Sequence, residues 1–231
     1  LGLMEAMERY SAERRDTDEV VYGTYAQAAE VGLTIDPADL ILPVNTLSYY
    51  RDAEIAWTEG YELLRGSPVW IPSCAVFYPY RGDSDLQLFG YHTNGLATGN
   101  TVEEAILHSL LELIERDAWS IAEERCVANA DVTVAEDSVP GRLLERFAAA
   151  GVEIHLKDLT SDIGITTIGA AADDVRTEDP EMLTVGAGTH LDPEIACVRA
   201  ITEVAQSRTT HRHGRKVDTA QRERALELGY E

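Results

Sequence analysis

Leu3-Met4-Glu5-Ala6-Met7-Glu8-Arg9 and Leu110-Leu111-Glu112-Leu113-Ile114-Glu115-Arg116 share one frame: two apolar residues, Glu, a spacer, an apolar residue, Glu and Arg. A third stretch, Ile201-Thr202-Glu203-Val204-Ala205-Gln206-Ser207-Arg208, repeats it with Gln in place of the second acid. Helices that each offer a Glu-x-x-(Glu/Gln) pair can converge on one site. Carboxylates gathered with arginines are what a metal-bound polyphosphate needs, the arginines taking phosphate oxygens and the acids an oxygen-loving cation such as Mg²⁺.

Helical periodicity tells which of these side chains share a face. With Glu104 set at zero, Glu115 falls about 20° round, Glu112 about 80° and Arg116 about 120°. Ile106, Leu107, Leu110, Leu111, Leu113 and Ile114 fill the arc from about 180° to 340°, so the acids form a stripe opposite an apolar stripe expected to be buried. In the last long helix Arg199, Glu203 and Gln206 lie within roughly 60° of one another, facing away from Val198, Ile201, Val204 and Ala205. A solvated face accounts for any one of these helices, and an acid four residues before Arg is a simple ion pair worth a few tenths of a kcal/mol. Recurrence of the same spacing in two helices is what argues for a site.

The elements that must position these residues are legible in outline. The first 15 residues read as a helix, followed by a polar break at Asp16-Thr17-Asp18-Glu19 and a short segment ending near Gly32. Pro43 and Asn45 punctuate a partly strand-like stretch. Ile55 to Leu64 and Val69 to Tyr78 read as paired strands joined by Arg65-Gly66-Ser67-Pro68. A long helix from about Thr101 to about Glu124 follows the turn Asn94 to Asn100, with Asn100 or Thr101 as cap and Glu103 or Glu104 as its capping-box partner. The N-terminus of that helix also offers unpaired N–H groups to an anion. A helix from Pro140 to Ala150 and strands at Val152 to Leu156, Ile165 to Ala171 and Leu183 to Ala187 come next. The last helix takes Asp192 as cap and Pro193 at its first position. Strands and helices mix without regular alternation, which indicates an α+β, or mixed α/β, class in one domain over residues 1–231.

Composition narrows the setting. The chain has 231 residues, 45% of them hydrophobic, enough for a core. It begins at Leu1 as if inside a helix and is read as truncated there, and at its C-terminal end as well. No apolar run is long enough for a membrane span. Asp and Glu number 41 against 19 Lys and Arg, a formal net charge of −22, and the only lysines are Lys157 and Lys216. Such a surface repels a nucleic-acid backbone and suits a cytoplasm rich in salt, where repulsion is screened. Cys74, Cys126 and Cys197 are far apart in sequence and read as buried reduced thiols. There is no Walker loop, no G-x-G-x-x-G, no kinase H-R-D set and no G-x-S-x-G, so a nucleotide bound here is held in an unusual way.

Thr93-Asn94-Gly95-Leu96-Ala97-Thr98-Gly99-Asn100-Thr101-Val102-Glu103-Glu104-Ala105, running on into Leu111 to Ala118, strongly resembles the signature of the YcaO family. Met4 to Tyr10 looks like that family's first helical motif. Gly186 to Pro193, continuing through Arg199, Glu203, Gln206 and Arg208, resembles its third, and the motifs come in the family's order. The resemblance implies long helices packed on mainly antiparallel sheets and an enzyme dependent on ATP and Mg²⁺. In the family, a backbone amide oxygen is phosphorylated. A neighbouring Cys, Ser or Thr then attacks to give an azoline, or a sulfide source attacks to give a thioamide. Carried over by motif position, Glu5, Glu8, Glu104, Glu112 and Glu203 hold Mg²⁺, and Asn100, Arg9, Arg116, Arg199 and Gln206 contact the nucleotide, with Glu115 supporting the arginines. One departure is Leu1, which stands where the first motif usually has a serine. Expected partners are a peptide or protein substrate, a TfuA-like or ThiF-like protein and a second copy in a homodimer. Open alternatives are an accessory role in ribosomal-protein methylthiolation, thiolation of tRNA, and a nucleotide-binding scaffold without catalysis.

Overall fold

A computed structural model describes residues 2–13, 20–40, 42, 52–80, 88, 92–176, 179 and 182–213. The expectations for 16–19, for Pro43 and Asn45 and for Leu1 lie outside the described residues. The chain divides into two compact units, Leu1–Ile106 and Leu107–Glu231.

The first unit contains helix α1 (Gly2–Ala12), strand β1 (Val21–Gly23), helix α2 (Tyr25–Val31), and strands β2 (Ile55–Glu62) and β3 (Ser67–Pro72). The strands form an antiparallel sheet in the order β1-β2-β3. Ile55, Trp57 and Leu88 make its core, packed by Tyr25, Ala28 and Trp70, and the Trp57 Nε1–H donates to the Gly23 carbonyl at 3.0 Å. A reciprocal capping box starts α2: Gln27 N–H donates to Thr24 Oγ1 at 3.3 Å and Thr24 N–H to Gln27 Oε1 at 2.8 Å. The expected strand Val69 to Tyr78 ends early, because Pro72 lacks a donor and the chain folds into a 3₁₀ turn at Ser73–Ala75.

Helix α3 (Val102–Arg125) begins in the first unit and runs through the second. The second unit continues with α4 (Val139–Ala149), strands β4 (Glu153–Asp158), β5 (Thr167–Asp173) and β6 (Thr184–Thr189), and helix α5 (Pro193–His213). The strands are antiparallel in the order β4-β5-β6. Alternation puts Leu156, Ile168, Ala170 and Ala172 on one face, where Ala196, Cys197, Ala200, Ile201 and Val204 of α5 and Leu143 and Phe147 of α4 close the core. Arg208 in the last turns of α5 is fixed by a largely buried ion pair, its Nη2 2.7 Å from Asp174 Oδ2 and its Nη1 donating to the Met182 carbonyl at 2.7 Å. This is the α+β class expected from the sequence. Among the thiols only Cys197 is fully buried. Cys126 is exposed, because α3 ends there in a left-handed turn (φ 52°) that carries the chain out to solvent.

Candidate functional site

The geometry of β6 against α5 is set by two glycines. A Cβ on Gly186 would lie 2.7 Å from the Ala200 carbonyl oxygen and the Val204 nitrogen, and one on Gly188 would lie 2.2 Å from the Ala196 carbonyl oxygen. Only glycine lets the strand come this close to the helix backbone. The approach carries Arg199 and Glu203, one helical turn apart, alongside the strand. His190 N–H donates to Thr166 O at 3.1 Å, which by antiparallel alternation makes 168–188 and 170–186 the hydrogen-bonded pairs. The Ala187 amide therefore points away from β5, and it donates to Glu203 Oε2 at 2.7 Å. Glu203 is a held carboxylate.

Against this pair comes the middle of α3. Glu112 accepts from Arg116 Nε at 3.0 Å, one turn along the same helix. Burial alone would pull the Arg116 guanidinium down, but the charge and hydrogen bond of Glu112, with Glu115 and Glu203 nearby, hold it above its ordinary value. Glu115 is the exceptional residue. It is only 4% exposed, and its Oε2 is buried without a hydrogen-bond partner among the described residues. Burial first, then the negative charges of Glu203 and Glu112, push its carboxyl up to about 7, against the opposing pull of Arg199 and Arg116.

This corrects the expected stripe. The buried positions of α3 are Leu111, Glu115 and Ala118, whereas Leu107, Leu110 and Leu113 are 39%, 47% and 47% exposed. The helix is turned so that its inward face runs through Glu115 between Leu111 and Ala118, and the charges of Arg199 and Glu203 on α5 act on that carboxyl. Glu115, given a supporting role by the sequence, sits at the centre of the cluster. Its signal was the second acid of the repeated frame.

The first unit holds the remaining residues in two groups. Glu5 and Arg9 pair on α1 at 3.1 Å, and half-buried Glu8 lies on the same helix. At the start of α3, Thr101 Oγ1 accepts from Glu104 N–H at 3.2 Å, and the Glu104 carboxylate reaches back to Asn100, 2.8 Å from its amide nitrogen and 3.0 Å from its Nδ2. The capping partner of Glu104 is thus Asn100, one residue beyond the cap. Gly99 makes the fold-back possible, since a Cβ there would lie 2.4 Å from Ala105 N. Thr98 Oγ1 donates to the Met4 carbonyl at 3.5 Å, linking the loop to α1. Gln206 is exposed on α5.

A buried carboxyl whose Oε2 has no partner among the described residues, beside two more acids and two guanidinium groups, fits a cation that brings an anion with it. Among the described residues no three His, Cys, Asp or Glu side chains form a ready metal cage. A cation here would draw most of its ligands from phosphate and water, as Mg²⁺ does.

The class that fold and site define is an α+β protein whose second unit gathers the carboxylates and guanidinium groups of α3 and α5. More narrowly, the chain belongs to the YcaO family: the family described as YcaO cyclodehydratase, ATP- and Mg²⁺-binding, matches residues 1–231. A protein of Methanothermobacter thermautotrophicus called uncharacterized is 47% identical over 233 residues, all of this chain and 59% of that protein. A Rhizobium leguminosarum bv. trifolii protein described as lying in the tfuA 3′ region is 37% identical, over 73% of this chain and 42% of its own length. The structure of YcaO from Methanopyrus kandleri bound with AMPPCP and Mg²⁺ superposes with a TM-score of 0.74 at 31% identity, covering 97% of this chain and 56% of that one. The chain thus spans about half the length of the relatives it matches.

Proposed function

We propose that this chain carries the site of an enzyme that uses Mg²⁺ and ATP to phosphorylate a backbone amide. The observation that carries the reading is Glu115: a buried carboxyl with a raised pKa, its Oε2 without a hydrogen-bond partner among the described residues, set among Glu112, Glu203, Arg116 and Arg199. Leaving it in an apo site costs free energy, which a bound cation returns. Glu112, Glu115 and Glu203 hold the cation, Glu115 losing its proton as it does so. By motif position, Glu5, Glu8 and Glu104 take the same role. Arg9, Arg116 and Arg199 donate to phosphate oxygens, and Asn100 and Gln206 contact the nucleotide. Bound there, Mg²⁺ supplies neutralisation of the charge on the phosphoryl group in flight. The side chains contribute position, since a metaphosphate-like transition state asks for little else.

The amide oxygen takes the γ-phosphoryl group and ADP leaves. A neighbouring Cys, Ser or Thr, or a sulfide source, then adds to the amide carbon, and phosphate departs with the amide oxygen. The relative in the tfuA 3′ region favours a TfuA-like partner and the thioamide outcome over the azoline. A formal charge of −22 argues against tRNA as substrate. A single domain, a cytoplasmic location and a homodimer complete the reading.

Co-expression with the genes beside its own, followed by mass spectrometry of the encoded peptides and proteins, tests it. Gain of sulfur for oxygen marks a thioamide and loss of water an azoline. Unchanged masses, with Mg²⁺ and ATP bound, would leave a scaffold instead.

A further inference from the structure

The face of the β4-β5-β6 sheet opposite α5 is not close-packed. A cavity of about 310 Å³ lies over it, walled by Trp119 and Ala122 of α3, by Val127 and Leu159, and floored by Ala171 and Val185. That volume is at the lower end of the range of small-ligand sites, about 300–1,000 Å³. The lining is mostly apolar, with Glu123, His155 and Lys157 as its polar members, and Lys157 is ion-paired with Asp131. Trp119 is one helical turn beyond Glu115, so the face of α3 that carries the acids continues into the cavity wall.

Among the described residues β6 is an edge strand. The register that turns the Ala187 amide outward does the same for Val185, two residues earlier, whose side chain is 51% exposed and lines the cavity. No described residue takes the Val185 amide. At Ala187 the edge is closed by Glu203. The free edge therefore ends at the carboxylate cluster.

We propose that an extended segment of the peptide substrate adds to β6 at Val185 and directs an apolar side chain into this cavity. This rests on the amide-activation reading and adds to it the recognition mode. A residue paired with Val185 shows its side chain on the same face as Val185, the cavity side, whichever way the added strand runs. Pairing cannot pass Ala187, whose N–H is taken, so the next stretch of peptide is released beside Glu203. At about 3.3 Å per residue the amide offered there is some two residues from the pocketed side chain. An apolar residue two positions from the modified amide is the sequence preference this geometry sets.

The test uses fluorescence anisotropy with the full chain, saturating Mg²⁺ and ATP, and a fluorescein-labelled peptide Thr-Phe-Thr-Cys-Gly. Comparison peptides replace its phenylalanine with aspartate or methylate the backbone nitrogens of the phenylalanine and of the threonine after it, one of which faces β6 in either strand direction. Val185→Pro removes the outward amide while leaving every β5–β6 bond, and Val185→Thr keeps the amide and the shape. Ala171→Trp fills the cavity. The expected result is binding of the phenylalanine peptide, weakened about tenfold or more by either peptide change, by Val185→Pro and by Ala171→Trp, but not by Val185→Thr. ATP titrations should be the same for all three variants. Peptides that bind alike, variants that bind the peptide as the parent does, or no peptide binding by a protein that binds ATP would each overturn the inference. Failure of the parent to bind ATP would instead overturn the reading beneath it.

Discussion

At the scale of single residues, Glu115 states the account most sharply. In the folded chain it keeps its proton up to about pH 7, whereas an unfolded chain releases it near the ordinary glutamate value of 4.5. Between those values the folded state binds more protons than the unfolded one, so this group's contribution to stability is full below about 4.5 and is lost as pH rises to about 7. The loss amounts to as much as about 3 kcal/mol. Glu115→Gln keeps the shape and has no charge to bury. In denaturant titrations without metal, the variant should be the more stable at pH 8 by about 1–3 kcal/mol, the gap closing toward pH 4.5. A gap that does not change with pH would remove the buried charge from the account. The same substitution should abolish the cation's contribution to nucleotide binding, so that stability and function move in opposite directions at one side chain.

At the scale of elements, the β6–α5 contact positions Arg199 and Glu203, and it depends on glycine. Gly188→Ala should cost about 3 kcal/mol in thermal or denaturant melts, because its Cβ would meet helix backbone and no rotamer can relieve that. Gly164→Ala, at φ +76° with nothing within 4 Å, should cost only about 1 kcal/mol. Arg208→Ala should cost about 3 kcal/mol by removing the guanidinium that faces the buried Asp174 carboxylate at 2.7 Å.

The helices that hold the site were legible. α3 starts and stops within a residue or two of expectation and α5 starts where expected, since both have caps and both are long enough for periodicity to be plain. β1 and α2 were not, because three and seven residues are too few to show a period. The rotation of α3 was also missed. Counting apolar residues favours the face through Leu107, Leu110 and Leu113, whereas the fold buries the face through Leu111, Glu115 and Ala118, within reach of the charges of Arg199 and Glu203. The Gly186-Ala187-Gly188 run looked like part of a motif. Its physical task, close approach to α5 plus an amide for Glu203, depends on contacts between β6 and α5 that no local pattern announces.

At the scale of the whole molecule, a formal charge of −22 works against compactness at low salt. Raising KCl from about 0.1 to 1 M shortens the screening length from about 10 to 3 Å. The melting temperature should rise over that range. A flat or falling curve would show that the acids are already compensated within the fold and would end the halophilic reading. The same charge would weigh against any polyphosphate were it not gathered with arginines and a cation at one place. Calorimetric titration of the full-length protein with ATP, with and without Mg²⁺ and beside Glu115→Gln and Arg199→Ala, therefore tests the central claim most directly. Binding should require Mg²⁺, release a proton near neutral pH and be lost in both variants. Binding that ignores Mg²⁺ and survives both substitutions would contradict it, and would place the nucleotide away from the α3–α5 cluster.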